Sequence, residues 1–220
     1  MSKAIELYGQ RRGGRGLYKR NAGEIQNAGE KSITRRRGAK LPDYLDQAEV
    51  NALIAAAGGQ NAAQARLLMM MQWRAGLRVS EALALRAADI SSLDDPKPTL
   101  HVHYGKGGKD RIVPVHPELA AALRVVMQFA PTPGPLVKAT RGTAWRWVQE
   151  ATVQALAAGS LSPGKRVGTH TLRHSAARHW LSNGVQINLV SLWLGHSNLQ
   201  TTLIYLRLVP DSAGDINRVP

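Results

Sequence analysis

The sequence predicts an α+β domain, mainly helical, with one small three-stranded antiparallel sheet. Three observations predict it. Capped segments of helical length, with apolar residues recurring along one face, run through most of the chain from Leu41 onward. A single central block is built instead of short strand-like runs, broken by "DDPKP" and "GKGGKD". The chain has 220 residues, 44% of them hydrophobic, which suits one medium domain with a core of its own.

The elements follow in order. In "LPDYLDQAEVNALIAAAGG", Asp46 is placed to cap a helix, Glu49 completes a capping box and Gly58-Gly59 ends it. "NAAQARLLMMMQWRAG" is apolar over most of its surface, so a second helix here is central. "SEALALRAADI" predicts a third helix, capped by Ser80. Strands are expected over Ala88–Leu93, Thr99–Tyr104 and Arg111–Val115, with "GKGGKD" turning between the last two. Helices resume at Pro117–Phe129, Thr143–Ala158, Thr169–Ser182, Gln186–Leu194 and Leu199–Leu206. There is no internal repeat, and no run approaches the roughly 18 apolar residues of a membrane span. The segment 211–220 reads as a loose tail.

Charge is the dominant global feature. Lysine plus arginine number 29 against 15 acids, a net +14. Such a surplus favours a polyanion, through attraction and counterion release. On charge alone the alternatives are a basic protein with no such partner and one bound to a membrane surface. Residues 1–40 hold eleven basic residues and three acidic ones, so they supply eight of the fourteen charges. With few apolar residues and the glycines of "RRGGRG", this segment reads as a flexible basic arm, with a short helix near Glu24–Ala28. Its DNA-tracking candidates are Arg11, Arg12, Arg15, Arg35, Arg36 and Arg37. There are no cysteines, hence no disulfide framework and no thiolate metal site.

Four separated stretches share one chemical character. "GLRVSE" presents Arg78, "GKGGKDR" presents Lys106, Lys109 and Arg111, "HTLRH" presents His170 and Arg173, and "LGHSNLQTTLIY" presents His196 and Tyr205. His170 and Arg173 are spaced i, i+3, so on a helix they share a face. A guanidinium bonds two phosphate oxygens at once and keeps its charge, so Arg78 and Arg173 are candidates to hold a phosphodiester in place of a metal ion. His170 and His174 also have the i, i+4 spacing of a zinc pair, but the glutamate of H-E-x-x-H is missing.

Together, "GLRVSE", "GKGGKDRIVPV", "HTLRHSAARHWL" and "LGHSNLQTTLIY" resemble the catalytic domain of the tyrosine recombinases, the phage-integrase and Xer-like family. The resemblance runs from about Leu41 to Val209, and it implies a tyrosine-recombinase catalytic domain over residues 41–210. It implies that Arg78, Lys106, His170, Arg173, His196 and Tyr205 are catalytic, with Glu81 as the acid that orders the site. Lys109 and Arg111 are expected on DNA, and His174 and His179 are expected to be structural or backbone-contacting. The implied activity is site-specific recombination through a 3′-phosphotyrosyl intermediate, with no cofactor and no metal. Alternatives are a type IB topoisomerase-like nicking-closing enzyme and a catalytically idle DNA-binding relative. The implied partner is double-stranded DNA, bound as a homotetramer, in the cytoplasm and with the nucleoid. Members of the family carry a helical core-binding domain ahead of the catalytic one. Here a polar segment of 40 residues, eleven of them basic, precedes Leu41, so grip is expected from the catalytic domain, the basic arm or an accessory DNA-binding protein.

Overall fold

A computed structural model describes residues 42–103, 110–129, 133–206 and 208. The expected arm, Lys106, Lys109 and the expected tail lie outside the described residues. The order of elements is α1 (Gln47–Ala56), α2 (Ala62–Arg74), α3 (Val79–Ala84), a 3-10 turn (Ala87–Asp89), β1 (Thr99–Val102), β2 (Arg111–Pro114), α4 (Pro117–Phe129), α5 (Arg141–Ala157), α6 (Thr171–Ser182), α7 (Ile187–Leu194) and α8 (Gln200–Leu206). No described helix is long and apolar enough to cross a membrane.

Helix α1 starts where its chemistry dictates. Asp46 accepts from the Glu49 amide at 2.8 Å, and Glu49 accepts from the Asp46 amide at 3.0 Å, which closes the expected capping box. Helix α2 is the centre of the domain and packs against α1, α3, α4, α5 and α6. Leu67, Leu68, Met69, Met71 and Trp73 are buried in it, as its all-round apolar surface requires. Gln72, also buried, donates to the Thr169 carbonyl at 2.6 Å and so ties α2 to the approach of α6. Leu45 donates to Ser175 Oγ at 2.8 Å, fixing the entry of α1 onto α6.

Among the described residues the sheet has two strands rather than the three expected. β1 and β2 pair antiparallel, with Leu100 opposite Val113 and Val102 opposite Arg111. The expected strand over Ala88–Leu93 is reduced to one antiparallel bridge, Ile90 to Leu100. Asp89 is the reason: its carboxylate accepts from the Arg86 amide at 2.8 Å and winds Ala87–Asp89 into the 3-10 turn. The third helix is likewise shorter than expected. It begins at Val79, after Arg78 rather than Ser80, and it stops at Ala84 because the Leu85 carbonyl accepts from Leu136 at 2.9 Å.

A second, smaller apolar cluster lies beside the main core. Ala177, Val190, Leu194, Tyr205 and Leu208 form it, with Tyr44, Trp180, Leu181, Val185 and Ile204 against it. It holds α6, α7 and α8 together, and it includes Tyr205.

Candidate active site

Two glycine turns set the positions of two arginines. Gly76 has φ +60, and a Cβ at that position would lie 2.8 Å from Trp180, so glycine is required on both conformational and steric grounds. Its carbonyl accepts from Arg173 Nη1, while Arg173 Nη2 donates to the Leu194 carbonyl. Gly195 ends α7 in the left-handed conformation, φ +63, and a Cβ there would lie 2.9 Å from Arg111 Cδ. Its carbonyl accepts from Arg78 Nη2 at 3.3 Å.

Glu81 is the acid around which the guanidinium groups gather. It accepts two bonds from Arg111, at 2.9 and 2.7 Å, and one from Arg78 Nη1 at 2.8 Å. It also accepts from the Arg78 amide at 2.7 Å, and Arg173 approaches it at 3.8 Å. Burial alone would raise the Glu81 carboxyl; the hydrogen bonds and charge of Arg111, then the hydrogen bonds of Arg78, bring it down to about 2. Burial lowers Arg173 to about 9, with Arg78 adding to the effect and Glu81 opposing it, so it stays charged at neutral pH. Arg78, at 20% exposure, is the more open of the two motif arginines; Arg173 is 5% exposed.

Arg111 corrects an expectation. Its side chain is 4% exposed, with Nη1 and Nη2 on Glu81 and Nε donating to the Trp193 carbonyl at 2.7 Å. A guanidinium so committed does not face DNA. It binds the sheet to the Glu81 cluster and to the end of α7.

Tyr205 is 2% exposed, and its hydroxyl lies 2.8 Å from His174 Nδ1. Burial pushes the phenol up from its ordinary value, opposed by Arg173 and Arg78. Burial also lowers His174 to about 4, with His170 and Arg173 adding to the effect. At neutral pH the pair is therefore phenol and neutral imidazole, joined by the one hydrogen bond between Oη and Nδ1. His196 is lowered to about 4 by burial, then by Arg173, Arg78 and Arg111. Its Nδ1 lies 2.8 Å from Thr202 Oγ1, and its ring runs nearly parallel to that of Tyr205, with centroids 6.2 Å apart. His170, at the start of α6, is exposed, and its ring lies 6.4 Å from that of His174.

Arg78, Glu81 and Arg173 thus form one group of charged contacts, and His170, His174, His196 and Tyr205 form a second of ring and hydrogen-bond contacts, with Arg173 and Arg78 acting on Tyr205 and His196 through their charge. Sequence reasoning treated His174 as structural or backbone-contacting; the structure sets its Nδ1 against the Tyr205 hydroxyl at 2.8 Å. The signal was present: His174 follows Arg173 and sits i, i+4 from His170 on the same helix. The zinc pairing of these two histidines gains no support, because His174 turns Nδ1 to Tyr205.

A helical domain with a small sheet thus carries a buried tyrosine, two backbone-seated arginines and two desolvated imidazoles. The model of the phage integrase family matches residues 43–211. The chain belongs to the phage integrase family. It is 35% identical over 184 residues to a tyrosine recombinase of Thermosipho africanus, covering 80% of this chain and 61% of that protein. It is 33% identical over 178 residues to the tyrosine recombinase XerA of Pyrococcus furiosus, covering 76% of this chain and 58% of that protein. The chain therefore spans about three-fifths of the length of the curated relatives it matches. A crystal structure of XerA recombinase aligns at TM-score 0.66 and 27% identity, over 82% of this chain and 66% of that one. The catalytic domain of bacteriophage HP1 integrase shares the fold at TM-score 0.58 and 22% identity, over 81% of this chain and 95% of that one. The integrase-family catalytic fold expected from the motifs is the fold of this chain, and the strand count is a minor departure.

Proposed function

We propose that this phage-integrase-family chain is a site-specific DNA recombinase that cuts and rejoins DNA through Tyr205. The observation that carries this reading is the Tyr205 hydroxyl, bonded to His174 beside Arg173, Arg78 and His196. A phenol attacks a phosphodiester only when its proton has somewhere to go. With its proton on Nε2, His174 accepts from that hydroxyl through Nδ1 and is the proton acceptor. As Tyr205 Oη bonds to phosphorus, the bond from phosphorus to the 5′ oxygen breaks, leaving a 3′-phosphotyrosyl link and a free 5′ hydroxyl. Arg78 and Arg173 stabilise the negative charge that grows on the non-bridging oxygens. His196 and His170 supply further hydrogen bonds to the same phosphate, and Lys106 protonates the departing 5′ oxygen. The bond energy stays in the phosphotyrosine, so a 5′ hydroxyl from a partner strand reverses the step without a nucleotide cofactor.

Double-stranded DNA is the proposed substrate. Related structures support this, among them the XerH recombinase bound to its difH substrate, which resembles this chain in fold. Assembly as a homotetramer on DNA, grip from the basic arm and help from an accessory DNA-binding protein belong to the same proposal, as does residence with the nucleoid. A nicked suicide duplex tests it. The wild-type chain traps a covalent protein–DNA adduct on a denaturing gel, and Tyr205→Phe removes the adduct while retaining DNA binding. An adduct that survives in Tyr205→Phe refutes the assignment of the nucleophile. Absence of any adduct from the wild-type chain leaves a binding protein only, and relaxation of plasmids lacking any defined site identifies a topoisomerase instead.

A further inference from the structure

We propose that His101, His103 and Asp110 form a binding site for a borderline divalent metal ion, zinc first, on the outer face of the β1–β2 ribbon. Side chains alternate along a strand, so residues two apart share a face. Leu100 and Val102 point into the core, which turns His101 and His103 outward. The antiparallel register that sets Val102 opposite Arg111 brings Asp110 across from His103. One ligand atom from each of the three lies within 4.8 Å of the others, and they are the only such group among the described residues.

The distances suit coordination. Asp110 Oδ2 lies 3.4 Å from His101 Nε2 and 3.1 Å from His103 Nδ1. Zinc bonds of about 2.0–2.1 Å in a tetrahedron place ligand atoms about 3.3 Å apart. The imidazole rings already lie with centroids 3.9 Å apart, so small rotations bring two nitrogens and one oxygen onto one ion. Two imidazoles and one carboxylate favour zinc, copper or nickel over magnesium or calcium, which prefer oxygen. Three protein ligands leave a position for water.

A second observation points the same way. His103 turns its other ring nitrogen, Nε2, to Asp89 Oδ1 at 3.3 Å. A carboxylate behind a ligating histidine fixes its tautomer and raises its basicity. Asp89 is itself held by the Arg86 amide at 2.8 Å, so the orienting group is anchored in the 3-10 turn. Asp89, His101 and His103 also line an open cleft of about 550 Å³ that reaches Ser80 and Glu81, which gives an ion its entry path. Hydrogen bonds between these histidines and aspartates exist without a metal, and the test separates that arrangement from a metal site. The proposed ion takes no part in strand cleavage.

The full chain, stripped with EDTA and dialysed, is titrated with zinc chloride in a calorimeter. One equivalent binds in the micromolar range. The His101→Ala/His103→Ala double variant loses that affinity by about 100-fold or more, and Asp89→Asn, which keeps all three ligands, weakens it by about 10- to 100-fold. All the altered groups are surface or partly exposed side chains, and circular dichroism checks that the variants fold. Histidine-selective NMR adds a readout independent of the variants: zinc shifts the imidazole signals of His101 and His103 first. No binding up to millimolar zinc overturns the proposal. So does equal binding by the double variant, or zinc-induced shifts confined to other histidines.

Discussion

Replacing Glu81 by glutamine removes one negative charge from among three guanidinium groups while keeping the side chain's shape. The folded chain holds the Glu81 carboxyl at about 2, against 4.5 when unperturbed. At about 1.4 kcal/mol per pH unit, that difference is worth about 3 kcal/mol at neutral pH. A folded-state value below the unfolded one means that the native chain keeps the carboxylate charged where the unfolded chain protonates it. The contribution is complete above about pH 4.5 and is lost as pH falls toward about 2. The side chains of Glu81, Arg111 and Arg173 are 6%, 4% and 5% exposed, so solvent screens these charges little. Glutamine keeps one acceptor oxygen but turns an amide donor toward Arg111, which leaves buried positive charge without its partner. Urea unfolding followed by tryptophan fluorescence is the assay. Glu81→Gln is expected to be less stable than wild type by about 3 kcal/mol at pH 7.5, the deficit falling to about 1.4 kcal/mol at pH 3. A variant within about 0.5 kcal/mol of wild type at pH 7.5, or a deficit that does not change with pH, refutes the reasoning.

Further outcomes follow from the same contacts. His174→Ala slows first-order cleavage of the suicide substrate by about 100-fold with DNA affinity unchanged, and His174→Gln recovers part of the loss by restoring an acceptor. Because His174 titrates at about 4, the wild-type rate shows no inflection from this group between about pH 6 and 8; a step there that His174→Gln abolishes contradicts the assignment. Gly195→Ala, which places a Cβ 2.9 Å from Arg111 Cδ at φ +63, lowers stability by about 1–3 kcal/mol in the same urea assay. Adduct formation is expected to persist after EDTA treatment, and its loss would contradict a phosphate site built from arginines.

Much of this was legible in the sequence because the signals were local. The Asp46–Glu49 box and the alternation from "HVH" through "GKGGKDR" into "IVP" need only neighbouring residues to be read. The four motifs named the candidate site residues, of which Lys106 lies outside the described residues. What stayed hidden depends on contacts between distant segments. Arg111 lies in a basic hairpin sequence that suggests DNA, yet its strand turns it inward onto Glu81, thirty residues earlier in the chain. His174 meets Tyr205 only because α8 packs on α6. The expected strand over Ala88–Leu93 failed for a smaller reason: one aspartate, bonded to the amide three residues before it, outweighed the pairing preference of a short apolar run.

The seats of Arg78 and Arg173 are carbonyl oxygens of Gly76, Leu194 and Gly195. Peptide oxygens do not change when a codon does. Side-chain identity in the two turns can therefore drift over long divergence without moving either cation, provided that the positive torsion angles at the two glycines are kept. Two cations hung in part from the polypeptide itself tolerate changes in the turn side chains so long as Glu81 is kept.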